Sequence, residues 1–450
     1  MTSITAISRA IRSKDVSESA KESIRITRTG KIMGIRKNNT FLYKGIPYAK
    51  PPVGDRRWKA PEALPDSSDL YHATLYPDSS LQRFTDPDGM YTKEFYSDPA
   101  YDANSSEDCL YLNIQTPENA LGKALPVVVW IHGGGFEHGY SYESEFDGEA
   151  YCDRDILYVS IQYRVGALGF LYHPLLSHSD SHGENLGILD QIAALSWIHE
   201  NIAAFGGNPH EITLMGQSAG GISTQILCSS PLSRPYMKRA IIQSGACYQT
   251  GLGLDLSRKH ALKIGMEFAE ICQLKQKEDF YSLSADKILN ATAVIMENTA
   301  RRKEPLPFCP HVDDFVLHHS LDYQIQHDEI APVPYLLGST KDDLGEGILY
   351  QESILFAEQR NRVASDSCYA YYFTRPLPGS LDGSFHSSEL WYTFGTLRRC
   401  WRPWSPTDYR ISSQMIDYWS HFIRYGTPGT VDGFQWKPCT AEDPFLMEFH

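Results

Sequence analysis

Gly216-Gln217-Ser218-Ala219-Gly220 is a G-x-S-x-G element lying between a short apolar run, Ile212–Met215, and a segment with helical spacing, Gly221–Leu227. Small residues on both flanks permit the sharp turn that pushes a serine hydroxyl out of the backbone. A helix starting directly behind it supplies free N–H groups and positive dipole potential where negative charge would develop. A second element, His132-Gly133-Gly134-Gly135-Phe136, directly follows the apolar run Val127–Ile131. Without side chains, the amides of Gly134 and Gly135 can approach a reacting carbonyl, and with the amide of Ala219 they would form an oxyanion cradle. Either element alone could be an ordinary glycine-rich turn. Together they are the parts of nucleophilic acyl transfer.

The elements that must carry these residues are legible as alternating patterns. Val127–Ile131, Leu157–Tyr163, Ile212–Met215, Ala240–Gln243, Pro334–Leu337 and Tyr369–Phe373 are apolar runs of strand length, rich in β-branched or aromatic residues. Ile188–Ala204 carries Ile188, Ile192, Leu195, Ile198 and Ile202 at helical spacing. Leu256–Arg302 is again helical, with Ala261, Ile264, Phe268 and Ile271 on one face. Phe41–Pro61 is rich in Pro and Gly and is expected to be irregular. Strands alternating with helices predict an α/β protein whose mostly parallel, twisted sheet is covered on both faces. Residues 1–22 read as a solvated extension or a short amphipathic helix, and with no repeat or linker beyond them, residues 23–450 are expected to fold as one domain.

Composition narrows the partners. The 450 residues hold 41 Lys plus Arg against 55 Asp plus Glu, a formal net charge of −14. No run of basic residues suits a phosphate polymer or an anionic membrane surface, so no nucleic-acid partner is expected. No apolar stretch approaches the roughly 18 residues needed to span a bilayer, so no membrane insertion is expected either. The N-terminal 23 residues lack the apolar segment of a secretory signal. Nine scattered cysteines without a CxxC pair argue against a zinc or dithiol redox site and fit reduced thiols in the cytoplasm.

At this point the chain resembles the type-B carboxylesterase family of the α/β-hydrolase fold, which includes bacterial para-nitrobenzyl esterases and cholinesterases. The matching landmarks are Gly45–Gly54 (GIPYAKPPVG), Glu107–Asn113 (EDCLYLN), the HGGGF element, Tyr163–Leu171 (YRVGALGFL), Asn185–Gln191 (NLGILDQ), Phe205–Gly220 (FGGNPHEITLMGQSAG) and Gln243-Ser244-Gly245. The resemblance implies a catalytic triad in the order Ser, acid, His, with Ser218 as nucleophile. It points to His386, in the loop GSFHSSELWYTFG after Tyr369–Phe373, as the general base. His318 and His319 come too early, and His421 sits in a helix-like stretch. The family's acid stands in a Gly-x-x-x-Asp-Glu-Gly element; here the text is Gly338-Ser339-Thr340-Lys341-Asp342-Asp343-Leu344, which puts Asp343 at that position, with Asp342 and Glu346 as competitors. Ion pairs Arg57–Glu107 and Arg164–Asp190, and Ser244 close behind the triad, are implied likewise.

The activity so implied is hydrolysis of neutral carboxylic esters of small molecules through an acyl-enzyme, without metal or cofactor. The same triad would serve an amidase or a lactone hydrolase, and a binding protein of this fold is a remoter alternative. Oligomeric state stays open. Three departures qualify the resemblance. Cys109 has no upstream cysteine with which to close the loop bridge of secreted members. Gln217 stands where the family has glutamate, removing a charge beside the nucleophile; both features count against a quaternary-ammonium substrate. Only 25 residues, 344–368, separate Asp343 from the next strand, which implies a reduced cap and an open pocket.

Overall fold

The computed structural model describes residues 21–83, 89–176, 183–249, 254–363 and 367–450. The expected extension over 1–22 therefore lies outside the described residues up to position 20. Ten strands form one sheet: β1 (Ile35–Lys37), β2 (Thr40–Pro47), β3 (Tyr111–Pro117), β4 (Leu125–Ile131), β5 (Leu157–Ile161), β6 (Gly207–Gln217), β7 (Arg239–Gln243), β8 (Tyr335–Thr340), β9 (Cys368–Phe373) and β10 (Leu446–Phe449). Their spatial order is β1-β2-β3-β5-β4-β6-β7-β8-β9-β10. The β1–β2, β2–β3 and β3–β5 pairs are antiparallel, and every pair from β5–β4 to β9–β10 is parallel.

The parallel part explains the continuous apolar runs, because both faces of each strand are covered. In β4, Val127, Val129 and Ile131 enter one core, while Val128 and Trp130 enter the other. The first core is closed by α2 (Leu186–Asn201), α3 (Ala219–Ser229), α4 (Arg258–Cys272), α5 (Ala285–Arg302) and α6 (Ile348–Val363), through residues such as Ile198, Ile226, Phe268, Ile295 and Phe356; α1 (Met90–Phe95) and α7 (Pro406–Tyr425) lie on the opposite core with Phe95, Met415 and Trp419. Local sequence sets the bounds of α7. Ser405 and Asp408 form a capping box, Pro406 starts the helix, and Gly426 ends it in the left-handed region.

Two expectations are corrected. The Phe41–Pro61 segment is not irregular throughout, since β2 takes its first third. A bulge between Tyr43 and Ile46 absorbs Gly45, the residue that disguised the strand. Ile271 is 37% exposed, whereas Ala261, Ile264 and Phe268 are buried, so the apolar stripe of α4 stops one turn before the helix does. Both ion pairs implied by the resemblance form. Arg57 Nη2 lies 2.5 Å from Glu107, and Arg164 Nη2 lies 2.7 Å from Asp190 in full burial. None of the nine cysteines is in a disulfide, and seven are buried. No helix among the described residues is long and apolar enough to cross a membrane.

Candidate active site

β6 ends at Gln217 and α3 begins at Ala219, which leaves Ser218 alone at the elbow with φ 55° and ψ −127°. This is left-handed backbone that a serine adopts only when its surroundings enforce it. The Ser218 amide donates to Gln243 O at 2.9 Å, and its carbonyl accepts from the Ile222 amide at 2.9 Å. The turn closes this tightly because Gly220 has no side chain. A Cβ there would stand 2.0 Å from Ile131 O, at the end of β4.

The same strand end starts the glycine loop. Gly134 has φ +98°, and a Cβ there would lie 2.2 Å from His138 O, so both the conformation and the space require glycine. His132 anchors the loop by stacking on Tyr163 at 4.4 Å between ring centroids, and the Tyr163 hydroxyl donates to His132 O at 2.9 Å. Burial pushes the His132 imidazole down to about 4, which keeps it neutral beside the loop. Gly134, Gly135, Ser218 and Ala219 all face one cavity of about 720 Å³. Ala219 is the first residue of α3, so its N–H has no acceptor within the helix.

Two loops bring the titratable groups. Asp343 lies just beyond β8, and His386 lies in the loop after β9. The structure puts His386 Nδ1 2.5 Å from Asp343 Oδ1. Ser244 Oγ donates to Asp343 Oδ2 at 2.7 Å, and the Thr340 amide donates to the same oxygen at 3.0 Å. Burial on its own would raise the Asp343 carboxyl, but the imidazole and these donors outweigh it and hold the group below the ordinary carboxylate value. For His386 burial works downward, and the charge and hydrogen bond of Asp343, with Glu389 behind, leave it raised.

The competitors are elsewhere. The Asp342 carboxylate accepts from the Ser384 amide, and Glu346 is exposed on a left-handed turn. Ser218 Oγ shares the cavity wall with His386 without hydrogen-bonding to it. Instead, the ring's Nε2 lies 3.2 Å from Gln217 Nε2. With Nδ1–H directed at Asp343, Nε2 is the accepting nitrogen, and the Gln217 amide donates to it.

Sequence reasoning missed three residues here. The Tyr91 hydroxyl donates to His386 O at 3.2 Å, and its ring lines the cavity with Phe95 and Tyr96; the only signal was the aromatic density of Tyr91–Tyr101. Glu389, fully buried three residues after His386, accepts from Gln243 and from Tyr371. Burial and then Asp343 push its carboxyl up to about 7. Glu137, directly after the glycine loop, also enters the cavity wall. Among the described residues no group of three or more His, Cys, Asp or Glu side chains could hold a metal ion.

Residues 21–355 and 344–450 match the model of the Carboxylesterase family. The chain is 31% identical over 436 residues to the para-nitrobenzyl esterase of Bacillus subtilis (strain 168), covering 94% of this chain and 80% of that protein. It is 27% identical to the phenmedipham hydrolase of Pseudarthrobacter oxydans, covering 94% of each. In three dimensions it superposes on a solved PNB esterase with a TM-score of 0.84 at 27% identity, over 95% of this chain and 96% of that one. A Geobacillus stearothermophilus carboxylesterase superposes with a TM-score of 0.78. With the family model matched over residues 21–450 and the likeness running along nearly the whole chain, the protein belongs to the carboxylesterase family of the α/β-hydrolase fold and is a carboxylic ester hydrolase.

Proposed function

We propose that Ser218 is the nucleophile, His386 the general base and Asp343 the acid that orients it, acting on neutral esters of small molecules. The observation that carries this reading is the 2.5 Å contact of His386 Nδ1 with Asp343 Oδ1, in a wall shared with Ser218 and the glycine loop. Ser218 Oγ attacks the ester carbonyl as its proton passes to His386 Nε2, which the Gln217 amide gives up as the substrate enters. Asp343 fixes the imidazole tautomer and compensates its charge. The amides of Gly134, Gly135 and Ala219 receive the oxyanion. His386 returns the proton to the departing alcohol, and water then releases the acid by the reverse steps.

Gln217 and Ser244 are positioning residues in this scheme, one at each end of the imidazole–carboxylate pair. A reduced cap fits the short stretch after Asp343, which α6 fills, with Leu344, 52% exposed, lining the cavity. Cysteines outside disulfides fit a reducing compartment, and on that ground we propose a cytoplasmic location. The test is p-nitrophenyl acetate hydrolysis by the wild type and by Ser218→Ala. The variant should lose a factor of roughly 10³–10⁶ in kcat. Retention of full activity would remove Ser218 from the mechanism.

A further inference from the structure

Hydrolysis as derived above gives Glu137, in the cavity wall, no task. Glu137 directly follows the glycine loop and lines the cavity of Ser218 as well as a smaller one beside it. Its amide donates to Gly134 O at 3.0 Å, which fixes its backbone relative to the oxyanion amides. Its carboxyl is different. Oε1 is buried without a hydrogen-bond partner, and among the described residues no Lys, Arg or His forms an ion pair with the group. Burial alone acts on it and pushes it up to about 8. The other carboxyl pair in the wall, Glu143 and Glu145, is partly satisfied from within: the two side chains hydrogen-bond to each other, and the Tyr140 amide donates to Glu143 at 2.8 Å.

A buried polar atom left unpaired costs free energy that a bound partner recovers. A receptor for a cation holds its carboxylate ionised with donors of its own, as Asp343 is held by Ser244 and Thr340. Among the described residues Glu137 has no such donors, so near neutral pH it presents a carboxylic acid, with one O–H to give and one carbonyl oxygen to accept. The group complementary to that pair is an alcohol hydroxyl, which does both. Phe95, Phe136, Phe146 and Ile222 give the same cavity apolar wall, and Arg83, His138 and Glu304 line it as well. We propose that the cavity holds a polar subsite at Glu137 that selects esters carrying a hydroxyl group at a fixed distance from the scissile carbonyl. The proposal rests on the assignment of Ser218 and its cavity above, and adds the substrate class.

The experiment compares matched substrates on the intact enzyme. In one series, p-nitrophenyl hydroxyalkanoates are set against p-nitrophenyl alkanoates of equal length. In the other, monoacetates of linear diols are set against acetates of the matching alkanols, and the hydroxyl is moved one carbon at a time. At one position in one series the hydroxyl should raise kcat/KM about tenfold in the wild type. Glu137→Leu should bring that ratio to near one, and Glu137→Gln, whose amide also donates and accepts, should keep most of it. The plain ester measured on each variant reports whether its site is assembled, and the wild-type ratios decide independently of any variant. Absence of a hydroxyl preference at every position, its persistence in Glu137→Leu, or a larger preference for the ammonium-bearing counterpart would overturn the proposal. Loss of all ester hydrolysis in the wild type would instead overturn the parent assignment.

Discussion

Asp342 and Ser384 clasp the two loops that carry Asp343 and His386. The Ser384 amide donates to Asp342 Oδ2 at 2.8 Å, and the Asp342 amide donates to Ser384 O at 3.0 Å. The clasp sits one residue from Asp343 and two from His386. Asp342→Ala removes half of it and lets the base drift, and a misplacement of about 1 Å can cost roughly 10²-fold. A kcat loss of 10- to 100-fold with an unmoved pH profile is expected. Asp343→Asn should cost on the order of 10⁴ and also shift the profile. Equal losses and equal profiles for the two variants would mean that the acid has been misassigned.

The pH dependence follows from the sign of the His386 shift. In its proposed role as base, His386 acts when neutral, and its value is raised above the ordinary 6.5 because Asp343 outweighs burial. kcat/KM should therefore rise with pH through a midpoint above 6.5 and be lost below it. Gln217→Glu sets a carboxylate in place of the amide beside Nε2, which favours imidazolium and moves the midpoint up by roughly one unit. A pH–rate profile of the variant with a lower or unchanged midpoint would contradict the contact seen at 3.2 Å.

Ser218 stands in backbone conformation that costs of order 1–3 kcal/mol for a residue with a Cβ. Ser218→Gly removes that strain along with the hydroxyl proposed as nucleophile. The variant is expected to be inactive and more stable by about 1 kcal/mol in urea unfolding, whereas Ser218→Ala, which keeps the Cβ, should gain nothing. Equal stabilities for the two would show that the elbow is not strained.

Arg164 and Asp190 are paired in full burial, with a bidentate contact of 2.8 and 2.7 Å. Arg164→Met strands the carboxylate. The expected loss is roughly 3–5 kcal/mol, read as a lower denaturation midpoint. Asp190→Asn together with Arg164→Met should recover part of it, because no unpaired charge remains.

Leu344 and Leu306 are both exposed at the cavity mouth, where an acyl or alcohol chain would leave the pocket. Contact with such a chain removes apolar surface from water at about 25 cal/mol per Å². Leu344→Asn should lower kcat/KM for octanoate esters about threefold more than for acetate esters. An equal effect on both chain lengths would place the mouth elsewhere.

Much of the fold was legible because its signals are local. β4, β6 and β9 are apolar runs covered on both sides, and α2 repeats its apolar residues at helical spacing. β2 was hidden, since the Gly and Pro of FLYKGIP read as a turn until the bulge against β3 accounts for them. β1, β3 and β10 take their strand character from pairing partners rather than from composition.

The sequence by itself determined which serine sits on an elbow and which glycines follow a strand, because a turn between neighbouring residues is specified by those residues. Only the tertiary structure decided which of Asp342, Asp343 and Glu346 meets the imidazole, that Gln217 occupies the accepting nitrogen of His386, and that Tyr91, Glu137 and Glu389 share the neighbourhood. His386 lies 43 positions from Asp343, 169 from Gln217 and 295 from Tyr91. Contacts at such separations depend on how loops from different strands pack over one sheet edge, and spacing along the chain carries no record of that distance.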